Sequence, residues 1–352
     1  MAPRDFPAGG WTSDYLAFWA VWIGIGVVTF AFLRRSRAKS SRARLVAGNA
    51  LVLALLLWTA VLGAESYLRY VYDATDSYGL TLTNYSWFGR HVQVNSQGFR
   101  DREFDAGGTS GVTRVACVGD SFTFAYGVAD PANAWPQRLG VALAARGDAR
   151  FDVRNHGVVG LDTGAEVELV ERLVRDGAAD RVILGYCLND ADDLLPPALR
   201  FDRGTAPRLP WIEPTRSFLA DFLWFRLRLR DDPRVGGYFD WVEVAYADPV
   251  VLRQQTERFR RMAEACRTAS VPLDVVVFPL FHAWGADYRF DACHDRVAAA
   301  WKSAGIDVID LRDAYRGIAG ENLVVNRCDA HPNARAHDIA ARAVFDRAFS
   351  VR

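Results

Sequence analysis

Residues 112–128 read VTRVACVGDSFTFAYGV, an apolar, partly β-branched run that ends abruptly in Gly119-Asp120-Ser121. The run predicts a buried strand that delivers a serine to the carboxyl edge of a sheet. In an open α/β sheet the ligand crevice lies at that edge, and the next helix, predicted at 132–146, starts close to a bound oxyanion. The alternative is an ordinary turn after a strand, because Gly, Asp and Ser are common turn formers.

The composition is that of a chain with a large folded core. Its 352 residues are 51% apolar and 24% charged, with a formal net charge of zero. The neutral balance argues against a nucleic-acid partner. The five cysteines have no C-x-x-C spacing and no metal-ligand grouping with the six histidines. We therefore expect no zinc site, no other metal and no cofactor.

Two long apolar stretches near the N-terminus predict membrane spans. Residues 15–33 and 45–64 contain no charged side chain, and 19 or 20 helical residues cross about 30 Å of bilayer core. The alternatives are buried helices of a soluble protein or a signal peptide. A signal peptide needs basic residues ahead of its apolar core and a small-x-small cleavage site after it. Only Arg4 precedes the first stretch.

The loop between these stretches, residues 34–44, carries six basic residues. Short basic loops stay in the cytoplasm, so the sequence predicts a transmembrane hairpin over 15–64 with both ends outside. Residues 1–14 then form a short extracytoplasmic terminus, and everything after about residue 65 faces the periplasm or the exterior. Residues 65–111 read as an irregular, partly β-structured membrane-proximal segment.

The remainder, residues 112–352, alternates apolar strands with amphipathic helices. Parallel strands need crossover connections, so this order predicts a three-layer α/β/α sandwich of the flavodoxin type with a parallel sheet. The predicted strands lie at 112–118, 151–155, 181–188, 273–278 and 307–311, and the predicted helices at 132–146, 164–175, 249–269, 287–303 and 333–349.

Residues 191–248 interrupt this alternation with many prolines and aromatic residues. A connection of this length inside a compact domain is usually functional or has its own structure. Residues 217–230 predict a short helix, which covers the active site, touches the membrane surface or packs on the core.

Four separate blocks carry residues suited to acyl transfer chemistry. Gly119-Asp120-Ser121 ends the first strand, residues 155–163 (NHGVVGLDT) follow the second, residues 185–190 (GYCLND) end the third, and residues 329–333 (DAHPN) precede the final helix. This ordered set resembles the SGNH (GDSL-type) hydrolases, and more distantly the alginate O-acetyltransferase-like SGNH group, over about residues 115–345.

The resemblance implies a role for each block. Ser121 is the nucleophile, His331 the general base, and Gly160 and Asn189 are oxyanion donors beside the backbone N–H of Ser121. A serine hydroxyl needs an imidazole to accept its proton, and the imidazole needs an acceptor to hold its tautomer. Asp329 is the expected acid of the triad.

The spacing of that acid departs from the commonest family pattern. Asp329 stands two residues before His331, whereas the usual spacing is three. Asp310 and Asp313 therefore remain alternatives for the triad acid. The phenylalanine after Ser121, where many members have leucine, leaves the nucleophile in place.

Three other residues have open roles. His337 and His331 are close enough in sequence to suggest a metal pair, but His337 falls on the predicted last helix and is interpreted as a cap or surface residue. His156 lines the pocket or packs in the core. Asp190 orients Asn189 or caps the following segment.

Together these features predict a membrane-anchored, extracytoplasmic serine esterase that acts on acyl or acetyl esters. One alternative is an O-acyltransferase acting on an envelope polysaccharide, and another is a catalytically silent scaffold or binding domain. The expected partners are an acyl or acetyl ester substrate, with a cell-envelope polysaccharide or lipid as its candidate carrier, and the bilayer.

Overall fold

The computed structural model describes residues 13–36, 41–104, 111–147, 150–196, 198, 217–230 and 233–349. The chain divides into two compact units. The first unit groups residues 1–75, 79–90 and 202–232, and the second groups residues 76–78, 91–201 and 233–352. Residues of the membrane-proximal segment contribute to both units, and the domain boundary at residue 112 stays a prediction.

The first unit contains the two predicted apolar helices, α1 (Ser13–Ser36) and α2 (Arg42–Tyr70). They pack side by side, and Trp22 Nε1 donates to Thr59 Oγ1 at 2.8 Å. By length and apolar composition both helices are candidate membrane spans. Part of the predicted basic loop, residues 37–40, lies outside the described residues. The cytoplasmic position of this loop stays a prediction.

The C-terminal end of α2 holds a buried ion pair. Glu65 is fully buried, and its Oε1 lies 3.0 Å from the guanidinium nitrogen Nη2 of Arg69. Glu65 also accepts the backbone N–H groups of Phe218 and Leu219, at 3.0 and 2.8 Å. These are the first residues of α7 (Phe218–Arg230). The carboxylate therefore caps the positive end of a helix that begins far away in the sequence.

The expectation of partial β-structure in residues 65–111 is wrong. Within the described part of this segment the structure has helices and turns and no strand: α2 continues to residue 70, and α3 spans Leu82–His91. The residues around Gly98 form a turn, since Asn95 N donates to Phe99 O at 2.8 Å.

The second unit is built on a five-stranded sheet with the order β2-β1-β3-β4-β5, in which every pair is parallel. The predicted parallel α/β fold is confirmed. Residues 115–118 of the first strand are at most 1% exposed, as a strand covered on both faces requires. The strands are β1 (Thr113–Gly119), β2 (Phe151–Gly157), β3 (Arg181–Cys187), β4 (Leu273–Phe278) and β5 (Ile309–Asp310).

Helices flank this sheet in two packed groups. Helix α5 (Trp135–Ala145) packs with α12 (Ala334–Ala348), and α6 (Thr163–Arg175) packs with α9 (Pro249–Thr268), which also contacts α10 (Asp291–Ser303). The helix predicted to start at residue 132 starts at Trp135 instead, because residues 131–133 form a 3₁₀ turn. The helices of this unit are α4 (Ser121–Phe124), α5 (Trp135–Ala145), α6 (Thr163–Arg175), α8 (Pro233–Ala245), α9 (Pro249–Thr268), α10 (Asp291–Ser303), α11 (Arg312–Tyr315) and α12 (Ala334–Ala348).

The predicted insertion at 191–248 contributes to both units. The helix predicted at 217–230 is present as α7, and its Phe218 packs with Leu68 and Leu82 in the first unit. Helix α8 belongs to the second unit. Residues 199–216 of this insertion lie outside the described residues.

Candidate active site

Three glycines form a row across the carboxyl edge of the sheet. Gly119 of β1 pairs in register with Gly157 of β2 and with Gly185 of β3. A Cβ on Gly157 would lie 2.5 Å from the carbonyl carbon of Thr123, and one on Gly185 would lie 2.5 Å from Thr123 Oγ1. The missing side chains leave the space in which the short helix α4 crosses the strand ends.

This space fixes the position of Ser121, which is the first residue of α4. Asp120 caps the helix, and its Oδ1 accepts the backbone N–H of Phe122 at 2.8 Å. The helix ends after one turn at Ala125, a left-handed residue with φ 62°. The sequence interpretation placed a serine at the strand end but did not predict α4 or the roles of Gly157 and Gly185. The signal was present, because each glycine directly ends or lies within an apolar strand.

Ser121, His331 and Asp329 lie in one hydrogen-bond chain. His331 Nε2 is 2.9 Å from Ser121 Oγ, and His331 Nδ1 is 2.6 Å from Asp329 Oδ1. Asp329 is fully buried and His331 is 8% exposed. With the Nδ1–H bound to the carboxylate, Nε2 is left as the acceptor that faces the serine hydroxyl.

The two-residue spacing between Asp329 and His331 is explained by a strand. Both residues lie on β7 (Asp329–Pro332), which pairs with β6 (Val324–Asn326) in an antiparallel hairpin that the sequence did not predict. The backbone N–H of His331 also donates to Asp329 Oδ1, at 3.1 Å. One carboxylate oxygen therefore binds both the ring and the backbone of the same histidine.

Neither alternative acid lies in this chain. Asp310 Oδ2 accepts from Arg312 Nε at 2.9 Å, and its Oδ1 is 3.4 Å from His294 Nδ1. Asp313 has a largely exposed side chain, 2.6 Å from Arg316.

The two predicted oxyanion donors lie at the same edge of the sheet. Gly160 stands in an exposed turn after β2 with φ 74°, a left-handed conformation that favours glycine. Asn189 follows β3 and its Nδ2 donates to Asp120 Oδ2 at 2.7 Å. That amide nitrogen carries a second hydrogen, which this bond leaves available.

Asp120 is the residue that the sequence interpretation missed. It is fully buried, and Oδ2 lies 3.2 Å from Ser121 Oγ as well as binding Asn189. Burial raises the pKa of the Asp120 carboxyl, against hydrogen bonds from Asn189 and Phe122 that lower it. The Asp of the Gly-Asp-Ser turn therefore connects the first and third blocks.

The electrostatic surroundings of His331 are acidic. Burial lowers the pKa of the imidazole, but the carboxylates of Asp329, Asp120 and Asp76 outweigh this effect and raise it above its ordinary value of 6.5. The site thus stabilises the imidazolium that forms when a serine proton is taken up.

The remaining residues singled out above have structural positions. His337 is fully buried and its Nδ1 accepts the backbone N–H of Trp135 at 3.3 Å, so it caps α5. His156 is buried, and its ring centroid lies 4.6 Å from that of Phe99. Asp190 Oδ2 accepts the N–H of Cys187 at 2.6 Å, as expected for a cap of the segment after β3. Among the described residues no group of three or more His, Cys, Asp or Glu is arranged to hold a metal ion.

A parallel α/β sheet with a serine, a histidine and an aspartate linked at its carboxyl edge is the arrangement of a serine hydrolase. Residues 117–339, more than half of the chain, match the GDSL-like Lipase/Acylhydrolase family. The chain belongs to this family of lipases and acylhydrolases.

Solved structures of similar fold include TesA, with 15% identity and a TM-score of 0.43 over 66% of this chain and 96% of that one. A G-D-S-L family lipolytic protein of Desulfitobacterium hafniense DCB-2 has 16% identity and a TM-score of 0.41 over 66% and 97%. The lipase/acylhydrolase of Enterococcus faecalis has 12% identity and a TM-score of 0.40 over 66% and 93%.

One curated protein is also similar in sequence. A gamma-glutamylethanolamide synthetase of Streptomyces coelicolor (strain ATCC BAA-471 / A3(2) / M145) is 27% identical over 220 residues, which cover 59% of this chain and 42% of that protein. The chain thus spans less than half the length of this relative.

Proposed function

We propose that the protein is a membrane-anchored, extracytoplasmic serine esterase that acts on acyl or acetyl esters. The observation that carries this proposal is the continuous chain from Ser121 Oγ to His331 and on to the buried Asp329, at 2.9 and 2.6 Å. A serine and an imidazole at this distance are within reach for proton transfer.

In the proposed reaction Ser121 Oγ attacks the ester carbonyl while His331 Nε2 accepts the hydroxyl proton. Asp329 holds the Nδ1–H tautomer and stabilises the imidazolium. His331 then protonates the leaving alkoxide, which departs as the alcohol and leaves an acyl-enzyme on Ser121. Water attacks this acyl group as His331 takes one of its protons, and His331 then returns that proton to Ser121 Oγ as the carboxylic acid leaves.

The tetrahedral intermediates of both steps carry a negative oxygen. We assign its stabilisation to the backbone N–H groups of Ser121 and Gly160 and to the second amide hydrogen of Asn189. Fixed donors of this kind contribute about 3 to 4 kcal/mol each to the transition state. The placement of all three residues at the carboxyl edge of neighbouring strands supports this assignment.

Anchoring is proposed through α1 and α2. The two helices are long and apolar, and the basic residues between them favour a cytoplasmic loop. Both chain ends then lie outside the cytoplasm, which places the hydrolase on the side where envelope esters are found.

The proposal is tested by labelling the full-length protein in detergent with a fluorophosphonate probe, which modifies activated serines. We expect wild-type protein to be labelled and Ser121→Ala protein to stay unlabelled. Ser96→Ala, a change at an exposed serine in the second unit, is the matched control and should label like wild type. Equal labelling of the Ser121→Ala protein would contradict the assignment.

A further inference from the structure

The segment Asp76–Tyr78 lies outside the residues that match the family, yet it binds the strand that carries Asp329 and His331. The backbone N–H of Ser77 donates to Cys328 O at 3.0 Å, and the N–H of Ala330 donates to Ser77 Oγ at 2.9 Å. Cys328 and Ala330 are the neighbours of Asp329. Ser77 therefore holds the backbone on both sides of that carboxylate.

A second set of contacts joins the segment to the ring of His331. The hydroxyl of Tyr126 donates to the carbonyl of Asp76 at 3.2 Å, and the Tyr126 ring lies 4.3 Å from the His331 ring, centroid to centroid. Ser77 Oγ is also 3.1 Å from His282 Nε2. The segment thus contacts both β7, which carries His331, and Tyr126, whose ring lies beside the imidazole.

Asp76 itself is 6% exposed, although it carries a carboxylate. Its Oδ1 accepts the backbone N–H of Tyr78 at 3.1 Å, which fixes the side chain within the segment.

We propose that Asp76–Tyr78 is a positioning segment of the active site, in which Ser77 fixes β7 between Asp329 and His331 and the backbone carbonyl of Asp76 holds Tyr126 beside the imidazole. The inference rests on the proposed function, because positioning matters here only if Ser121 and His331 react. It assigns a positioning role to a stretch that lies shortly after the second candidate membrane span in the sequence.

The test uses the full-length protein in detergent and p-nitrophenyl acetate as substrate. Ser77→Ala is expected to lower kcat about tenfold with little change in KM, because β7 loses one of the hydrogen bonds that hold Asp329 and His331 in position. Ser77→Thr, which keeps the hydroxyl, should retain most of the rate. Asp73→Asn, at a partly exposed ion pair with Arg90, is the control and should leave kcat unchanged.

An inactive wild-type protein contradicts only the proposed function, whereas full activity of Ser77→Ala in an active wild-type background contradicts only the positioning role.

Discussion

Asn189 is bound by Asp120, since its Nδ2 donates to Asp120 Oδ2 at 2.7 Å across the ends of β3 and β1. The same carboxylate oxygen lies 3.2 Å from the hydroxyl of Ser121. One buried aspartate therefore sets the relative positions of the proposed nucleophile and of a proposed oxyanion donor. Because the serine hydroxyl has a single proton, it donates either to Asp120 or to His331, and the contact with His331 is the shorter one at 2.9 Å.

The first prediction follows from this arrangement. Asn189→Ala should lower kcat by about 10²- to 10³-fold, because it removes one donor to the oxyanion while substrate contacts remain. Steady-state kinetics on a small acetyl ester measure the effect. Asn322→Ala, at an exposed position, is the control. Near-normal turnover of the Asn189 variant would mean that the amide is only part of a turn.

The second prediction concerns the acid of the triad. Asp329→Asn should cost about 10⁴-fold in kcat, because the ring tautomer that faces Ser121 is no longer held. Asp310→Asn should leave kcat nearly unchanged, since Asp310 binds Arg312. A large loss of kcat in Asp310→Asn with little loss in Asp329→Asn would show that Asp329 is not the acid of the triad.

The third prediction tests the glycine row. A Cβ on Gly157 would meet the backbone of residues 123 and 124, which cannot move without displacing α4. Gly157→Ala should therefore destabilise the second unit by about 1 to 3 kcal/mol and reduce fluorophosphonate labelling of Ser121. In Gly140→Ala the new Cβ meets the side chain of Val153 at 3.6 Å, an ordinary contact. This variant should be as stable as wild type and label normally.

The fourth prediction concerns acid stability. Burial lowers the pKa of His337 to about 3, whereas an unfolded histidine titrates at about 6.5. The unfolded chain therefore binds a proton that the folded chain does not, and stability is lost as the pH falls from about 6.5 towards about 3. Between about pH 7 and pH 5 this one residue should cost about 2 kcal/mol.

His337→Gln removes the titrating group and keeps an acceptor for the N–H of Trp135. Chemical denaturation at both pH values should show a smaller loss of stability for this variant than for wild type. His91→Gln, at a partly exposed histidine, should behave like wild type. An unchanged pH dependence in the His337 variant would contradict the role of its burial.

The fifth prediction is topological. Because basic loops stay in the cytoplasm, a reporter that is active only outside the cytoplasm should work when fused after Arg352 and fail when inserted near Ser40. Activity only at Ser40 would overturn the proposed hairpin.

The sequence by itself determined the five strands of the parallel sheet and the long helices that follow four of them. Apolar strands and amphipathic helices repeat with local periods, so their order predicts a parallel sheet, and three of the four blocks fall at its strand ends. Ser121 stands where an apolar run ends, whereas the roles of Asn189 and His331 followed from the resemblance of the four blocks to the SGNH hydrolases. The spacing of Asp329 was left open, since spacing along the chain does not reveal that both residues lie on one strand.

Only the tertiary structure decided which distant groups meet. Glu65 caps a helix that starts at Phe218, Asp120 binds Asn189, and Ser77 binds the strand of His331. These partners are separated by 69 to 253 residues in the sequence. Their pairing depends on sheet register and helix packing, which follow from the whole core and not from any local pattern.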